Sequence, residues 1–394
     1  MRTHHDFHDQ TKPFALVVLC LVLLGLNLRP ILASVGPLLD EIQHSIGISS
    51  GNAGLLTTLP VLAMGLCALA GGLLQRLLGQ YAGVLLGIVV IAVACATRWF
   101  WHDTGGLIVT AAVGGFGIAV VQALLPAYVK TQFASRAGLV MGLYTTGIMG
   151  GAAVAAASVS PVAAHIAWQG SLAIWAIPAV IAAILWVVAG SNASRAGKGT
   201  LVKLPLRLPR AWLLMIFFGI SGGAYALVLA WLPPFYTQLG WTSTESGLLL
   251  GLVTIAEVVA GLLVSAFVGH FHDRRVLLLG TLVFQALGLL CLIFAPNELA
   301  IVGAVVLGLG IGAIFPLSLI VSMDHAETPA QAGALLGMVQ GGGYTIASTV
   351  PFLAGLIRQH FADLTLAWGV MLGGVVLLAV IACRFAPGQK LHFN

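Results

Sequence analysis

The chain has 394 residues, of which 59% are hydrophobic and 7% are charged, and its mean hydropathy is +1.05. Soluble proteins carry about a quarter charged residues, so this composition excludes a water-soluble enzyme. A chain that crosses ~30 Å of hydrocarbon must satisfy its own backbone amides, and a helix of about 20 apolar residues does so. The composition therefore predicts an all-α membrane protein.

Twelve apolar runs follow one another along the chain, separated by short polar or Gly/Pro breaks. In the first half they lie at 14–38, 52–75, 82–100, 106–129, 138–160 and 169–190. In the second half they lie at 211–236, 246–268, 276–295, 299–322, 334–357 and 364–384. The first run is too long for a cleaved signal, so we interpret it as a retained helix. We predict twelve transmembrane helices in two six-helix bundles, 1–190 and 211–394, joined by a basic cytoplasmic linker at 191–210.

The two bundles show a weak internal repeat. Ala137, Gly138 and Gly142 recur 195 residues later as Ala332, Gly333 and Gly337. Repeated bundles place a solute site near the middle of the membrane, between the halves, and expose it to each side in turn. Small residues that only allow close helix packing are the alternative explanation.

The basic residues predict the orientation. Fourteen of the 17 lysines and arginines fall on one side of the predicted helices, whereas Arg98 and Arg358 fall on the other and Arg29 lies inside the first helix. Because basic loops stay cytoplasmic, both termini are expected in the cytoplasm of a bacterial inner-membrane protein. This topology accounts for the net charge of +5 without a nucleic-acid partner. The expected partners are a small solute, the lipid bilayer and, as a candidate coupling ion, the proton, and we expect a monomer.

Arg29 lies about fifteen residues into the first predicted helix, within Leu26-Asn27-Leu28-Arg29-Pro30. A guanidinium at this depth costs about 2.5–3.5 kcal/mol even on lenient scales. An anionic solute in a water-filled cavity would offset that cost, since arginine offers fixed donors and keeps its charge. Pro30 frees the Leu26 carbonyl and predicts a kink in the helix. A structural ion pair with another helix is the alternative role for Arg29.

Glu257, in the middle of the eighth predicted helix, is the only other charge that the sequence places well inside a span. A buried carboxyl can take up and release a proton during transport, so Glu257 is the candidate for proton coupling. It could equally be the structural partner of Arg29.

Uncharged groups at membrane depth complete the predicted substrate site around Arg29. The candidates are Asn27, Gln122, Tyr225, Trp231, Phe315, Ser318 and Gln340. Each of them is alternatively a helix-packing group. The stretches Trp231-Leu232-Pro233-Pro234 and Phe315-Pro316 also predict breaks in the seventh and tenth helices.

Several motifs carry a family resemblance through both halves. They are Leu26-Asn27-x-Arg29-Pro30-x-Leu32-x-Ser34-Val35-Gly36-Pro37-Leu38-Leu39, Leu56-Thr57-x-Leu59-Pro60-Val61, Gln122-Ala123-x-x-Pro126, Ala230-Trp231-Leu232-Pro233, His272-Asp273-Arg274-Arg275 and Phe315-Pro316-Leu317. With these motifs the chain resembles bacterial cyanate permeases of the major facilitator superfamily. The resemblance implies the twelve-helix facilitator fold, with helices 1, 4, 7 and 10 lining the cavity. It leaves the substrate open, because related permeases are associated with nitroimidazole-type compounds as well as cyanate.

The superfamily's loop motif between helices 2 and 3 is similar to Gly72-x-Leu74-x-Arg76-x-x-Gly79 here, with Arg76 in place of the usual acidic residue. The resemblance then implies that the second-half loop carries more of the conformational latch, through Asp273, Arg274 and Arg275.

Other site chemistries find little support. The cysteines fall inside predicted helices at no ligand spacing, so we expect neither a disulfide frame nor a metal site; they are Cys20, Cys67, Cys95, Cys291 and Cys383. His4, His5 and His8 are expected in a solvated tail. We predict no cofactor and no catalytic residue. Because no nucleotide-binding loop is present, transport must be driven by a gradient.

The sequence thus predicts a secondary active transporter of a small, anionic, cyanate-like solute, working by alternating access. The first alternative is a transporter of nitroimidazole-type or other small aromatic or weakly acidic compounds. Outside transport, the alternative is a membrane sensor or scaffold, although the chain has no soluble domain that could relay a signal.

Overall fold

The fold is described from a computed structural model, which describes residues 14–133, 136–189 and 204–391 apart from the side chains of Pro329 and Ala330. The helices of the first half are α1 Phe14–Leu26, α2 Pro30–Ala33, α3 Val35–Ile46, α4 Ser50–Leu69, α5 Gly71–Leu78, α6 Gln80–Thr97, α7 Thr104–Gln132, α8 Ala137–Ala173 and α9 Ala176–Ala189. Those of the second half are α10 Pro209–Gln238, α11 Ser243–Phe267, α12 Arg274–Phe294, α13 Ala300–Asp324, α14 Pro329–Phe361 and α15 Thr365–Ala382. The all-α prediction is confirmed for the described residues.

Ten helices among the described residues are long and apolar enough to cross a membrane, with Phe14–Ile46 taken together as one of them. The apolar helix α9 is shorter, at 14 residues. The 33-residue α14 is not among the ten, and it is rich in glycine. The chain is therefore a multi-pass membrane protein, and the count of twelve spans stays a prediction.

The predicted kink at Pro30 is confirmed as a full break in the first span. Helix α1 ends at Leu26, and the next three residues are not helical before α2 begins at Pro30. The Leu26 carbonyl has no amide partner at Pro30, and Gly151 of α8 packs directly against it: a Cβ on Gly151 would lie 2.1 Å from that oxygen. Arg29 thus lies in the break, where the free Leu26 carbonyl faces α8.

The predicted breaks at Pro233-Pro234 and Pro316 are wrong, because α10 and α13 continue through these prolines. In α10 the two prolines free the carbonyls of Leu229 and Ala230, four residues earlier. Gly36 of α3 lies against both oxygens, since a Cβ there would be 3.0 and 3.4 Å from them. This close packing of a neighbouring helix lets α10 tolerate the missing hydrogen bonds.

Helix α8 contains the predicted run at 138–160 and continues into the start of the run at 169–190, although Ile166 and Ala167 depart from helical geometry. Ala167 has φ 58°, so the chain turns there before it continues into α9. The fifth and sixth predicted spans are therefore separated by a kink rather than by a loop.

Two faces of the helical array are defined by helix ends. At the basic face, the start of α1 meets the end of α7 through Phe14 and Phe133, and Lys390 of the tail donates to the Asp324 carbonyl at the end of α13. The opposite face holds the ends of α3, α10 and α14 and the start of α4. We call the contact surface between residues 14–189 and 204–391 the seam.

Some predictions fall outside the described residues. These are the histidines of the N-terminal tail, Arg2 and Lys12, and residues 191–203 of the predicted linker. The boundaries of the two bundles stay a prediction.

Candidate functional site

Arg29 lies at the seam, and its side chain is 5% exposed. Its Nη1 donates to the Met64 sulfur of α4 at 3.8 Å, and its guanidinium carbon is 5.3 Å from the ring centroid of Tyr225 in α10. Tyr144 in α8 also lies close enough to interact electrostatically with it, and the Tyr344 hydroxyl of α14 lies within hydrogen-bonding reach of the guanidinium. Residues of both halves therefore enclose this cation.

Several polar atoms around Arg29 are buried without a hydrogen-bond partner. They are Arg29 Nε, the hydroxyls of Tyr144 and Tyr225, and Glu257 Oε2. The first three are donors, and unsatisfied buried donors cost about 1–3 kcal/mol each. Among the described residues, no carboxylate forms a salt bridge with Arg29. The cluster therefore places three unpartnered donors beside one unpartnered carboxyl oxygen at the seam.

Glu257 of α11 is 5% exposed and interacts electrostatically with Arg29 and Tyr225 without a salt bridge to Arg29. Its backbone lies against Gly312 of α13, where a Cβ would be 2.3 Å from the Glu257 Cα. The structure thus brings the two intramembrane charges of the sequence prediction to one site without a salt bridge between them.

Other predicted site residues have their polar groups engaged or lie only half-buried. Asn27 donates to the carbonyls of Leu23 at 2.7 Å and Pro178 at 3.2 Å, so its amide ties the break in the first span to α9. The Ser318 hydroxyl donates to the Phe315 carbonyl within its own helix. Gln122 and Gln340 are half-buried. Substrate contact by any of them stays a prediction.

The aromatic candidates separate into two places. Phe315 is 41% exposed, and its ring centroid lies 5.6 Å from that of Phe218 in a tilted arrangement. Phe218 in turn contacts Tyr344, so Phe315 borders the site near Arg29. Trp231 is fully buried and donates to the Pro351 carbonyl at 2.9 Å. It lies six residues beyond Tyr225 on α10, about 9 Å along the helix. Trp231 therefore belongs to the opposite face.

A network of side chains closes the seam at the opposite face, and we call it the gate. Arg358 of α14 pairs with Asp40 of α3 at 3.0 Å, reaches Gln43 at 3.4 Å and lies 5.6 Å from the Trp231 ring centroid. The other Asp40 oxygen accepts a short hydrogen bond from Thr237 of α10. The gate joins three helices across the two halves.

The seam stays closely packed beyond the gate. Thr58 of α4 donates to the Ser348 carbonyl of α14 at 2.7 Å. A Cβ on Gly54 would lie 2.6 Å from the Pro351 carbonyl, and one on Gly65 would lie 2.7 Å from the Gly341 carbonyl. Only glycine allows the backbones of α4 and α14 to approach this closely.

Toward the basic face the seam is open. On α8, Ala153 and Ala157 face Gly251 of α11, and steps of three or four residues along the same helix face lead back to Gly142 and Gly138. Among the residues that the structure describes, a Cβ on either of these glycines would meet no atom within 4 Å. The same holds for Gly333 and Gly337, on the α4-facing side of α14. These four glycines are the repeated pair found in the sequence.

Arg98 and Arg358 differ from the sequence expectation, which placed both in segments outside the membrane. Arg358 lies within α14 and belongs to the gate. Arg98 caps the end of α6 and is fully buried, so Glu257 is not the only further charge inside the protein. A charge at the end of an apolar run can fold inward, and sequence periodicity does not reveal this.

The predicted loop motifs lie at the basic face. Gly72 and Arg76 are exposed on α5, and Gly79 has φ 70° between α5 and α6, a conformation that favours glycine. In the second half, Arg274 pairs with Asp324 at the end of α13 at 3.1 Å. The Asp273 carboxyl accepts from Arg275, and these hydrogen bonds lower the pKa of Asp273. A role in the conformational cycle stays a prediction.

Three residues of the site were not predicted: Met64, Tyr144 and Tyr344. The chain has only 6 tyrosines, and three of them surround Arg29. A tyrosine in the middle of an apolar run needs a partner for its hydroxyl, so this scarcity was an available signal. The thioether of Met64 carried no such signal.

Comparisons with known proteins agree with this architecture. The family profile described as Major Facilitator Superfamily matches residues 16–348 and 214–391. The chain is 39% identical to the cyanate transport protein CynX of Escherichia coli (strain K12), over 94% of this chain and 97% of that protein. It is 30% identical to the 2-nitroimidazole transporter of the same organism, over 93% of each.

Among solved structures, the inward open conformation of the xylose transporter XylE from E. coli superposes with a TM-score of 0.78 at 14% identity, covering 95% of this chain and 97% of that one. At 14% identity the match is evidence for the fold alone. A site enclosed between two helical halves is the architecture of a solute transporter. The chain belongs to the major facilitator superfamily and, within it, to the cyanate permease family.

Proposed function

We propose that this protein is a secondary active transporter that moves a small anion of the cyanate type across the bacterial inner membrane by alternating access. The observation that carries the proposal is the buried Arg29 guanidinium, whose Nε has no partner and which forms no salt bridge among the described residues. An anion that accepts from this nitrogen offsets the cost of burying the charge. The similarity to a protein named for cyanate transport supports the same substrate class.

The geometry around Arg29 suits a small anion. The unpartnered hydroxyls of Tyr144 and Tyr225 add two donors from different halves to the guanidinium. A linear triatomic anion accepts hydrogen bonds at both ends, so it can join donors across the seam. Its binding then links the two halves, which is what a solute must do to promote the change between outward and inward states.

Alternating access is supported by the asymmetry of the seam. The gate closes the opposite face, whereas the glycines of α8 and α14 are open toward the basic face. In this state the anion leaves or enters from the basic face. We assign that face to the cytoplasm because it holds most of the basic residues.

The orientation has a direct test in Cys383, which is exposed just after the end of α15 at the basic face. A membrane-impermeant maleimide should label Cys383 in inverted vesicles and not in intact spheroplasts. Labelling in intact spheroplasts would reverse the assignment.

The substrate proposal is tested by uptake of radiolabelled cyanate into proteoliposomes. We expect Arg29→Ala to reduce uptake at least about tenfold, since a charge-assisted hydrogen bond contributes ~1.5–3 kcal/mol. Arg29→Lys should recover part of it, because it keeps the charge and loses the fork of donors. Arg384→Ala, which removes an exposed arginine after α15, is the control and should transport normally. Normal uptake by Arg29→Ala would refute the proposal.

Glu257 is the proposed coupling residue. Its Oε2 is unpartnered, and the cationic and phenolic groups that face it are Arg29 and Tyr225. A carboxyl that binds a proton in one state and releases it in the other couples anion movement to a pH gradient. We expect Glu257→Gln to abolish uptake driven by a pH gradient while substrate exchange at equal pH continues. An unchanged dependence on the gradient would return Glu257 to a structural role.

A second candidate substrate class is supported by the aromatic side of the site. Phe218, Phe315, Tyr225 and Tyr344 present rings near Arg29, and one relative is named for 2-nitroimidazole transport. In that case the guanidinium binds a nitro group or a deprotonated ring. Competition by 2-nitroimidazole that exceeds competition by unlabelled cyanate would favour this class.

A further inference from the structure

Arg98, in the first half, is a second buried arginine that forms no salt bridge with a described residue. It caps the end of α6, and its side chain is 0% exposed. Its Nη1 donates to the Ile31 carbonyl at 3.1 Å, and its Nε donates to the Thr110 hydroxyl at 3.3 Å. Burying a charged guanidinium costs free energy that two hydrogen bonds to neutral acceptors offset only in part. The remaining cost indicates a functional role for this contact.

Thr110 of α7 orients this guanidinium. Its hydroxyl donates to the Leu107 carbonyl at 2.9 Å, which leaves the oxygen lone pairs to accept from Arg98 Nε. The planar guanidinium is then held in one direction, with Nη1 aimed at the Ile31 carbonyl.

Ile31 belongs to α2, the four-residue helix that follows the break in the first span. So short a helix is not stable by itself and depends on its neighbours. The Ile31 side chain lies against α7, because a Cβ on Gly114 of α7 would be 2.1 Å from Ile31 Cδ1. Arg98 and Gly114 thus hold α2 by its carbonyl and by its side chain.

The backbone of Arg29 is joined directly to α2. Arg29 is the residue that caps the start of this helix, and its carbonyl accepts from the amides of Leu32 and Ala33 at 3.0 and 2.9 Å. The side-chain contacts of Arg29 are all to uncharged groups: a thioether at 3.8 Å, an aromatic face at 5.3 Å and the Tyr344 hydroxyl within hydrogen-bonding reach. Because no charged partner fixes the guanidinium, its location also depends on the backbone from which it projects.

We propose that Arg98 is a positioning residue for the anion site: by its hydrogen bond to Ile31 it fixes α2 and so places the Arg29 guanidinium. This inference rests on the proposed function. It distinguishes Arg98 from a purely structural arginine, whose loss would lower stability and leave the affinity of the folded protein unchanged.

Equilibrium binding of radiolabelled cyanate to purified, monodisperse protein tests the proposal. Thr110→Val removes the hydroxyl and keeps the shape, whereas Thr110→Ser keeps the hydroxyl. We expect Thr110→Val to raise the Kd about fivefold and Thr110→Ser less than about twofold, as for loss of one hydrogen bond. Arg98→Met should raise the Kd about tenfold or more, with Arg98→Lys in between. The maximal transport rate at saturating cyanate should change less than the Kd.

Double variants separate positioning from general damage. In an Arg29→Ala background, Thr110→Val should weaken the remaining binding no further, because the group it positions is gone. A further loss of the same size would assign Arg98 and Thr110 to structure alone.

The two proposals fail in different ways. If Thr110→Val and Arg98→Met bind cyanate as tightly as the wild type does, and Arg29→Ala binds it more weakly, the positioning role of Arg98 is refuted and the anion site at Arg29 is supported. If Arg29→Ala itself binds cyanate normally, the proposed function falls. Should Arg98→Met not fold, the Thr110 pair decides by itself.

Discussion

The two ends of the seam differ in what joins the halves. At the opposite face, Arg358 and Asp40 form a largely buried ion pair, and the backbones of α4 and α14 touch at glycines such as Gly54. Toward the basic face, Gly138 and Gly337 have open space beside them. Glycines occur at both ends of the seam, so the presence of a glycine does not by itself show whether the two halves touch there or are separated. What distinguishes them is the conformational state that the structure holds.

This difference suggests what the alternate state must look like. When the gate opens, the halves must meet at the basic face for access to alternate, and the open glycines of α8 and α14 lie where those contacts would form. Small residues there allow the backbones to approach as closely as they already do at the opposite face. The two ends would then exchange roles.

The largest effect is expected from filling the open glycines. Gly142→Leu and Gly337→Leu add a side chain that the present state accommodates and the alternate state does not. We expect transport to fall at least about tenfold, because overpacking a close helix contact costs ~1–3 kcal/mol or more, while equilibrium binding of cyanate from the basic face persists. Uptake into proteoliposomes and direct binding measure the two.

Gly373→Leu on α15 is the matched control, since this glycine also has nothing within 4 Å and α15 packs on α10 and α12. It should transport like the wild type. Equal loss of transport in the control and the test variants would show that bulk, and not the seam, is responsible.

A smaller effect is expected from the gate. Asp40→Asn removes the charge that pairs with Arg358, and the pair is largely buried, with side chains 31% and 9% exposed. Loss of such a pair should destabilise the closed opposite face by about 1–2 kcal/mol, roughly a 5- to 30-fold shift in population. Spin labels at positions 52 and 360, with Cys383 replaced by serine, report the distance between α4 and α14 at this face.

We expect a longer distance in Asp40→Asn and an unchanged one in Asp363→Asn, an exposed carboxylate after α14. A distance distribution identical to the wild type in Asp40→Asn would mean that the ion pair does not hold the face closed.

The smallest effect concerns one hydrogen bond below the gate. Thr58→Val removes the donor to the Ser348 carbonyl and keeps the side-chain shape. The expected destabilisation of the closed face is about 1 kcal/mol, near fivefold in population. The same label pair should detect a partial lengthening, with Thr349→Val, whose hydroxyl bonds within its own helix, as control. If the label distance lengthened as much in Thr349→Val as in Thr58→Val, the hydrogen bond from Thr58 to Ser348 would not be what stabilises the closed face.

Much of the candidate site followed from the sequence because charges inside apolar runs are rare. Arg29 and Glu257 were predicted for that reason, and Pro30 predicted the break beside Arg29. Trp231 also stood out, yet it lies under the gate, because membership of a predicted cavity helix does not say at which depth or toward which neighbour a side chain points. Tyr144 and Tyr344 were missed because a single tyrosine in an apolar run resembles many packing residues.

By itself the sequence determined that this is a multi-pass helical membrane protein of the major facilitator superfamily, since apolar run length and family motifs are local properties of the chain. Only the tertiary structure decided that Arg29 has aromatic neighbours and no ion pair with a described residue, that Arg98 folds inward to the Ile31 carbonyl, and that Asp40 meets Arg358. These contacts join residues far apart in the chain, and in a bundle where lipid and protein interior are both apolar, the pattern of hydrophobicity does not say which helix faces meet.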